Sequence, residues 1–183
     1  MIYLASQSPR RKTLLRQLGL QFKVIKPNVE ESVTGRDPKT VAVRLAEAKV
    51  LSAAPRVRRG VILGVDTIVV LGRRIMGKPA SKADARRMLQ ALSGRTHRVI
   101  CGLCLLRKPG GRKLLGAEVT KVRFRKLTPS EIEDYVSTRE PCDKAGAYAI
   151  QGRAGLFVDR IEGNYFNIVG LPVPRLLELL SRI

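Results

Sequence analysis

The sequence is poor in the residues from which several common functional sites are built. Its 183 residues include one histidine, no tryptophan, four tyrosines and four phenylalanines. A Cys/His zinc cluster is therefore short of ligands, and base stacking along a nucleic acid is short of aromatic surface. No apolar run approaches the roughly 20 residues that span a bilayer, and no basic leader precedes a long apolar region. We expect a cytoplasmic protein with no membrane partner.

The three cysteines favour neither a disulfide scaffold nor a metal site. An odd, small number in a chain of this length argues against a disulfide framework. Cys101 and Cys104 form a C-x-x-C motif, but they lie in the stretch VICGLCLL, which is typical of a buried strand. Residues i and i+3 of a strand point to opposite faces, so the two thiols would not converge on a metal. We predict that the three cysteines, Cys101, Cys104 and Cys142, are core residues, with a redox or zinc role as the alternative.

Positive charge dominates the sequence. The 35 Lys and Arg against 15 Asp and Glu give a formal net charge of +20. Such a surface attracts polyanions, whether nucleic acids, phosphorylated metabolites or anionic lipids. The basic residues are scattered, however, with no long basic tail. A solvated surface and a functional basic patch both stay open, and any nucleic-acid binding is not expected to be specific.

Apolar runs and helix caps predict one α/β domain over residues 1–183, with a mixed twisted β-sheet and flanking helices. Strands are predicted near residues 2–5, 22–25, 61–71, 98–106 and 114–125. Helices are predicted after Ser8, Asp37, Ser81 and Thr128, and from about Pro174. Residues 157–161 and 165–169 flank Glu162-Gly163-Asn164 and predict a hairpin.

One carboxylate, Asp66, interrupts the most apolar stretch of the chain, VILGVDTIVVL. Burial of an unpaired carboxylate is costly, so this group must be paired, protonated, metal-bound or at a cleft. An ion pair with an arginine is the purely structural alternative, and a functional site is favoured because such groups cluster at active sites. Together with Glu30 and Glu31, Asp66 would suit a hard cation such as Mg²⁺. Lys78 follows the turn that leaves the strand of Asp66, so its side chain could return near Asp66.

The segment SQSPRRKTLL, residues 6–15, places Arg10 and Arg11 in the first turn of a predicted helix. Cations there typically cost a few tenths of a kcal/mol. That cost disappears if an anion binds the free backbone N–H groups, the hydroxyls of Ser6 or Ser8 and the guanidinium groups. A polyphosphate would fit, and two solvated arginines are the alternative. The usual phosphate-binding glycine loops and the G-x-S-x-G motif of serine hydrolases are absent.

Six segments together resemble the signature blocks of the Maf family of nucleoside triphosphate pyrophosphatases. In chain order they are LASQSPRRKTLL, ILGVDTIVV, GKP, LSGRTH, EPCDKAGAYAIQG and NIVGLP. The resemblance runs from about residue 4 to residue 180. It implies a mixed α/β fold with two lobes around a cleft, like that of the inosine triphosphate pyrophosphatases. It also implies a homodimer and a divalent cation, Mg²⁺ or Mn²⁺.

The resemblance further implies hydrolysis of a nucleoside triphosphate to the monophosphate and pyrophosphate. Asp66 would accept a proton from the water that attacks the α-phosphorus, and would hold the metal together with Glu31. Arg11, Lys49 and Lys78 would neutralise the triphosphate and the departing pyrophosphate. Such roles suit phosphoryl transfer, in which positioning and charge stabilisation supply most of the catalysis.

Three positions favour a pyrimidine substrate within this resemblance. The branch that acts on 7-methyl-GTP carries Trp, Gln and Glu where this chain has Arg10, Thr67 and Gln151, and the chain resembles the dTTP/UTP branch instead. The neutral amide of Gln151 can donate to and accept from a uracil or thymine edge. The alternative function is a basic nucleic-acid-binding or septum-regulating protein with a nucleotide-sensing site. Asp66 argues for the enzyme, because a nucleic-acid binder needs no carboxylate inside an apolar strand.

Overall fold

The structure is a computed structural model that describes residues 1–29, 35, 37–138 and 140–183. The strands are β1 Ile2–Leu4, β2 Phe22–Val24, β3 Gly60–Leu71, β4 Arg74–Met76, β5 Thr96–Lys108, β6 Lys113–Phe124 and β7 Val158–Glu162. The α-helices are α1 Pro9–Gln17, α2 Pro38–Ala53, α3 Lys82–Leu92, α4 Pro129–Ser137, α5 Tyr165–Val169 and α6 Val173–Ser181. Within the described ranges, no helix is long and apolar enough to cross a membrane.

The seven strands form one mixed sheet, in the order β2-β1-β3-β5-β6-β7 with β4 paired to β3. β1 runs parallel to both β2 and β3, whereas β4 is antiparallel to β3 and β7 is antiparallel to β6. The predicted mixed α/β fold with flanking helices is therefore confirmed.

The chain divides into two compact units. The first consists of Met1–Thr67, Cys101–Glu118 and Gly170–Ile183, and the second of Ile68–Ile100 and Val119–Val169. Strands β3, β5 and β6 each contribute residues to both units. A single domain over residues 1–183 stays a prediction.

Four predicted helix starts are confirmed, three of them by capping hydrogen bonds and that of α1 by the position of Pro9. Pro9 is the first residue of α1, where its missing N–H costs nothing. The side chains of Asp37 and Ser81 accept backbone N–H groups from the first turns of α2 and α3. Thr128 and Glu131 exchange hydrogen bonds as a capping box at the start of α4.

The hairpin predicted for residues 157–169 is wrong in its second half. The first half forms β7, which pairs with β6, but Tyr165–Val169 forms the helix α5. The Asn164 side chain accepts the backbone N–H of Phe166 at 2.8 Å, as an N-cap does. The buried Asn167 amide then donates to the Val99 carbonyl and the Thr120 hydroxyl. These polar bonds outweigh the strand preference of the apolar residues in this segment.

In the first unit, helix α2 packs directly against two glycines of the sheet. A Cβ on Gly64 of β3 would lie 2.2 Å from the Ala46 carbonyl oxygen, and one on Gly102 of β5 would lie 2.2 Å from that of Ala42. Only a residue without a side chain allows this approach. Ala42, Ala46 and Lys49 follow one another at spacings of four and three residues, so they share one face of α2. The close contact thus brings Lys49 to the sheet.

The second unit has a core of edge-to-face aromatic rings. Phe124 contacts His97, Tyr148 and Phe157 with ring centroids 4.9 to 6.0 Å apart. His97 is buried, with its Nε2 atom 2.8 Å from the Tyr148 hydroxyl oxygen. Burial lowers the pKa of His97 to about 4, so the ring is neutral at physiological pH. The single histidine of the sequence is thus a neutral core residue.

The contact between α2 and β3 predicts that Gly64→Ala destabilises the first unit. The new methyl group would collide with backbone and force α2 away from the sheet, at a cost of about 1–3 kcal/mol in the free energy of unfolding. Urea denaturation measures this change. Gly77→Ala is the matched control because a Cβ there has open space around it, and its effect should stay below about 1 kcal/mol. Equal effects of the two variants would contradict the packing argument.

Candidate functional site

Arg11 is a buried residue in the first turn of α1. Its Nε donates to the Gly170 carbonyl at 2.8 Å, Nη1 donates to Ser6 Oγ at 2.9 Å and Nη2 donates to Thr67 Oγ1 at 3.0 Å. The alternative of a solvated arginine at this position is therefore wrong. Three elements of the first unit converge on one guanidinium group: the loop after β1, the strand β3 and the segment before α6.

The acceptors around Arg11 are all neutral, so these contacts do not cancel its positive charge. They occupy three of the five N–H donors of a guanidinium group. Ser8 stands at the N-cap of α1, but its side chain makes no capping hydrogen bond, and its backbone N–H donates to Ser6 Oγ instead. The first backbone N–H groups of α1 therefore lack a side-chain cap. A positive group beside uncapped N–H groups is a suitable binding site for an anion.

Thr67 links Arg11 to β5. Its Oγ1 accepts from Arg11 and lies 3.0 Å from Cys101 Sγ, so one hydroxyl group contacts both the cation and the thiol. Burial raises the pKa of the Cys101 thiol to about 12, while Thr67 and Arg11 lower it and Asp66 raises it. The thiol is thus an uncharged core group, as predicted. Cys104 is buried as well, whereas Cys142 is exposed, so the core prediction is wrong for Cys142.

Asp66 forms a buried ion pair with Lys49. Lys49 Nζ lies 2.5 Å from Asp66 Oδ1, and the two side chains are 7% and 9% exposed. The sequence left open a pairing with an arginine, and the partner is a lysine instead. Lys49 comes from the face of α2 that packs on Gly64, two residues before Asp66 in β3, so one packing contact creates both the pair and its burial.

The carboxyl end of β1 lies beside both Arg11 and the Lys49–Asp66 pair. The pairing of β1 with β3 ends at Leu4 and Leu63, and Asp66 follows three residues later. The loop with Ser6 and the start of α1 leave β1 at this same edge. In open α/β sheets, ligands bind outside the carboxyl ends of the parallel strands. Asp66 and Thr67 are successive strand residues that point to opposite faces, so Asp66 reaches α2 while Thr67 reaches Arg11.

The remaining predicted site residues fall in three places. Lys78 and Gln151 are exposed residues of the second unit, the first after β4 and the second in a turn. Arg10 is a partly buried residue of α1. Glu30 and Glu31 lie outside the described residues.

Among the described residues, no three His, Cys, Asp or Glu side chains lie close enough together to hold a metal ion. Mg²⁺ is usually held by one or two carboxylates together with substrate phosphates and water. The Asp66 carboxylate is a donor of this kind, so its chemistry fits. Because Oδ1 contacts Lys49, a cation at this group would have to compete with the ammonium or use the second oxygen.

The whole chain matches one known protein family. Residues 1–183 match the family described as Maf-like protein. The chain belongs to the Maf family. The resemblance drawn from the six sequence blocks is thereby confirmed over the whole chain.

Several Maf relatives carry the same functional name. The chain is 47% identical to the dTTP/UTP pyrophosphatase of Dictyoglomus thermophilum over 100% of this chain and 95% of that one. It is 49% identical to the dTTP/UTP pyrophosphatase of Moorella thermoacetica, covering 98% of this chain and 93% of that one. It is 45% identical to the dTTP/UTP pyrophosphatase of Clostridioides difficile, covering 99% and 94%.

A solved structure supports the fold. The Ham1 protein of Staphylococcus aureus is similar to this Maf chain with a TM-score of 0.54 and 15% identity, covering 98% of this chain and 97% of that one. At this identity the similarity shows the fold alone.

Sequence reasoning missed two members of the Maf site. Gly170 binds Arg11 through its backbone carbonyl, and a backbone group carries no residue signature. Cys101 was predicted as a core residue, and its contact with Thr67 was not foreseen. The one available signal for Gly170 was its place in the block NIVGLP.

The geometry around Arg11 predicts that Arg11→Lys destabilises the protein despite the retained charge. A lysine carries its donors on one atom and cannot reach three separate acceptors in fork geometry. Unsatisfied buried acceptors should lower the free energy of unfolding by about 1–3 kcal/mol, measured by urea denaturation. Arg16→Lys is the control in the same helix, because Arg16 is exposed and should change stability by less than about 0.5 kcal/mol. Similar small effects at both positions would contradict the structural role of Arg11.

Proposed function

We propose that this protein hydrolyses dTTP and UTP to the nucleoside monophosphate and pyrophosphate. The observation that carries the proposal is the buried Lys49–Asp66 pair beside the carboxyl end of β1, in a chain of the Maf family. Relatives named dTTP/UTP pyrophosphatase at 45–49% identity over nearly the full chain support the substrate class.

Asp66 accepts a proton from the water that attacks the α-phosphorus. An ionised carboxylate offers only acceptors, which is what a general base requires. The Lys49 ammonium at 2.5 Å fixes the orientation of this carboxylate in its buried position. The same ammonium can stabilise negative charge that builds up on the phosphate oxygens during attack.

Arg11 and the start of α1 bind the triphosphate. Arg11 is held rigidly by three neutral acceptors, so its charge is oriented before the substrate arrives. The uncapped N–H groups of the helix and the hydroxyls of Ser6 and Ser8 add hydrogen bonds to phosphate oxygens. Lys78 supplies a further cation for the departing pyrophosphate.

Gln151 reads the pyrimidine edge, with Arg10 and Thr67 contributing to base selection. Gln151 lies in a turn and is exposed, so its amide is accessible to a base. The Thr67 hydroxyl already contacts Arg11, so Thr67 influences selection through the position of that guanidinium group.

A divalent cation, Mg²⁺ or Mn²⁺, completes the site. Asp66 and Glu31 would hold it, and its chemistry is to neutralise phosphate charge and to orient the reacting oxygens. The homodimer and the cytoplasmic location stay predictions.

Nucleic-acid binding is the weaker alternative. The net charge of +20 favours it. However, four of the eight aromatic side chains, Phe124, Tyr135, Tyr148 and Phe157, are buried in the second unit. They cannot stack on bases, and a nucleic-acid binder has no use for the Lys49–Asp66 pair.

A nucleotide panel tests the proposal. Purified protein is incubated with Mg²⁺ or Mn²⁺ and each of dTTP, UTP, CTP, ATP and GTP, and both pyrophosphate and orthophosphate are measured. We expect pyrophosphate release that is fastest with dTTP and UTP and that stops on metal chelation. Asp66→Asn should lower kcat by a factor of about 100 or more, because the general base is lost.

Asp134→Asn is the matched control, since Asp134 is an exposed carboxylate of α4 and should leave kcat unchanged. Release of orthophosphate as the main product, or a preference for purines, would refute the proposed function. Near wild-type turnover of Asp66→Asn would remove Asp66 from its role as the base.

A further inference from the structure

The turn that carries Gln151 is tied to two residues outside it, Tyr135 at the end of α4 and Glu140 in the short 3-10 helix Glu140–Asp143. Tyr135 is fully buried, and Glu140 is half-buried. The Tyr135 hydroxyl donates to Glu140 Oε1 at 2.9 Å, so the two side chains form one connected pair. Neither residue has a role in the chemistry described above.

This Tyr135–Glu140 pair binds the backbone on both sides of Gln151. The backbone N–H of Ala149, two residues before Gln151, donates to the Tyr135 hydroxyl at 3.3 Å. The backbone N–H of Arg153, two residues after Gln151, donates to Glu140 Oε2 at 3.2 Å. Within the turn, the backbone N–H of Gly152 donates to the Ala149 carbonyl at 3.1 Å. Gln151 therefore lies at the tip of a turn whose two ends are fixed by one hydrogen-bonded pair.

The Glu140 carboxylate also fits against the turn sterically. A Cβ on Gly152 would lie 2.1 Å from Glu140 Oε1, so the carboxylate occupies the space that any other residue at this position would need. Glu140 is held from its other side, since its backbone N–H donates to Thr138 Oγ1 at 3.2 Å. The Tyr135 ring packs edge-on against Phe157 at 5.2 Å. Both members of the pair are thus anchored independently of the turn.

The chemistry of an amide makes this support relevant to base selection. Uracil presents an acceptor at O4 next to a donor at N3, whereas cytosine presents a donor at N4 next to an acceptor at N3. A glutamine amide that can rotate freely offers its donor and acceptor in either order, so it fits both bases equally. Discrimination requires the amide to be held in one position and orientation. A turn fixed at both ends holds the Gln151 backbone in one position, which limits the directions from which its amide can meet a base.

We propose that Tyr135 and Glu140 are positioning residues for Gln151 and thereby set the preference of the site for uracil and thymine over cytosine. This inference rests on the proposed function, because it takes Gln151 as the residue that reads the base. Under this proposal the pair affects which base is accepted and not how the phosphate chain is bound.

The test uses Tyr135→Phe and Glu140→Gln, which remove one hydrogen-bonding group each and keep the side-chain shape. We expect the ratio of kcat/KM for UTP to that for CTP to fall at least about fivefold in both variants, in line with the loss of one hydrogen bond. The inhibition constant of inorganic tripolyphosphate, which lacks a base, should change less than about twofold. Ser137→Ala is the matched control, because its hydroxyl at the end of α4 contacts only the Asp134 carbonyl among the described groups.

A double-mutant cycle separates positioning from a purely structural role. In a Gln151→Ala background, the UTP to CTP ratio has already collapsed, so adding Tyr135→Phe or Glu140→Gln should lower it no further. Amide hydrogen exchange of residues 149–153, which needs no turnover, should become at least about fivefold faster in both single variants and stay unchanged in Ser137→Ala.

Unchanged exchange in this turn, additive effects in the cycle, or a UTP to CTP ratio unaffected by Gln151→Ala would each overturn the inference. Failure of the proposed function can be distinguished from failure of this inference, because the wild-type protein would then release no pyrophosphate from UTP. The exchange measurement would in that case still decide whether Tyr135 and Glu140 hold the turn.

Discussion

The first unit depends on the close approach of α2 to the sheet, which produces the buried Lys49–Asp66 pair. Two glycines let the helix backbone lie where side chains would normally stand, and the lysine on that helix face then meets the carboxylate of β3. Removing one partner of a buried ion pair lowers the free energy of unfolding by about 3–5 kcal/mol, so the loss of either Lys49 or Asp66 would destabilise the protein. A hydrophobic pair would have packed at least as well. The presence of a buried ion pair between α2 and an apolar strand favours a role in chemistry over a purely structural one.

Arg11 illustrates a different way to keep a charge in a protein interior. Its guanidinium group is surrounded by a carbonyl and two hydroxyls, which orient it without neutralising it. A cation in the first turn of a helix is unfavourable on its own, and it becomes favourable once a polyanion binds there. Under the proposed function, a bound triphosphate would offset the cost of placing this cation at the helix start. Orientation in advance of binding is what phosphoryl transfer requires of its surroundings.

Much of the fold and part of the site could be predicted from the sequence, for reasons that differ between residues. The caps at Asp37, Ser81 and Thr128 act locally, so their signals were sufficient. The buried Asp66 was evident from its apolar neighbours, but its partner was not, because Lys49 is 17 residues away and meets it only through the packing of α2. Helix α5 was mistaken for a strand because the bonds of Asn167 are long-range. The Gly170 carbonyl is a backbone group with no residue signature of its own, so its bond to Arg11 could not be predicted from the sequence.

Water attack at the α-phosphorus of a nucleoside triphosphate is the step on which the proposed roles of Asp66 and Arg11 depend, and isotope transfer tests it directly. The protein hydrolyses UTP in water enriched in oxygen-18, the products are separated, and their masses are measured by mass spectrometry. We expect one oxygen-18 atom in UMP and none in pyrophosphate, because the new P–O bond forms at the α-phosphorus. Label in the pyrophosphate, with unlabelled UMP, would place the attack on the β-phosphorus and contradict the account.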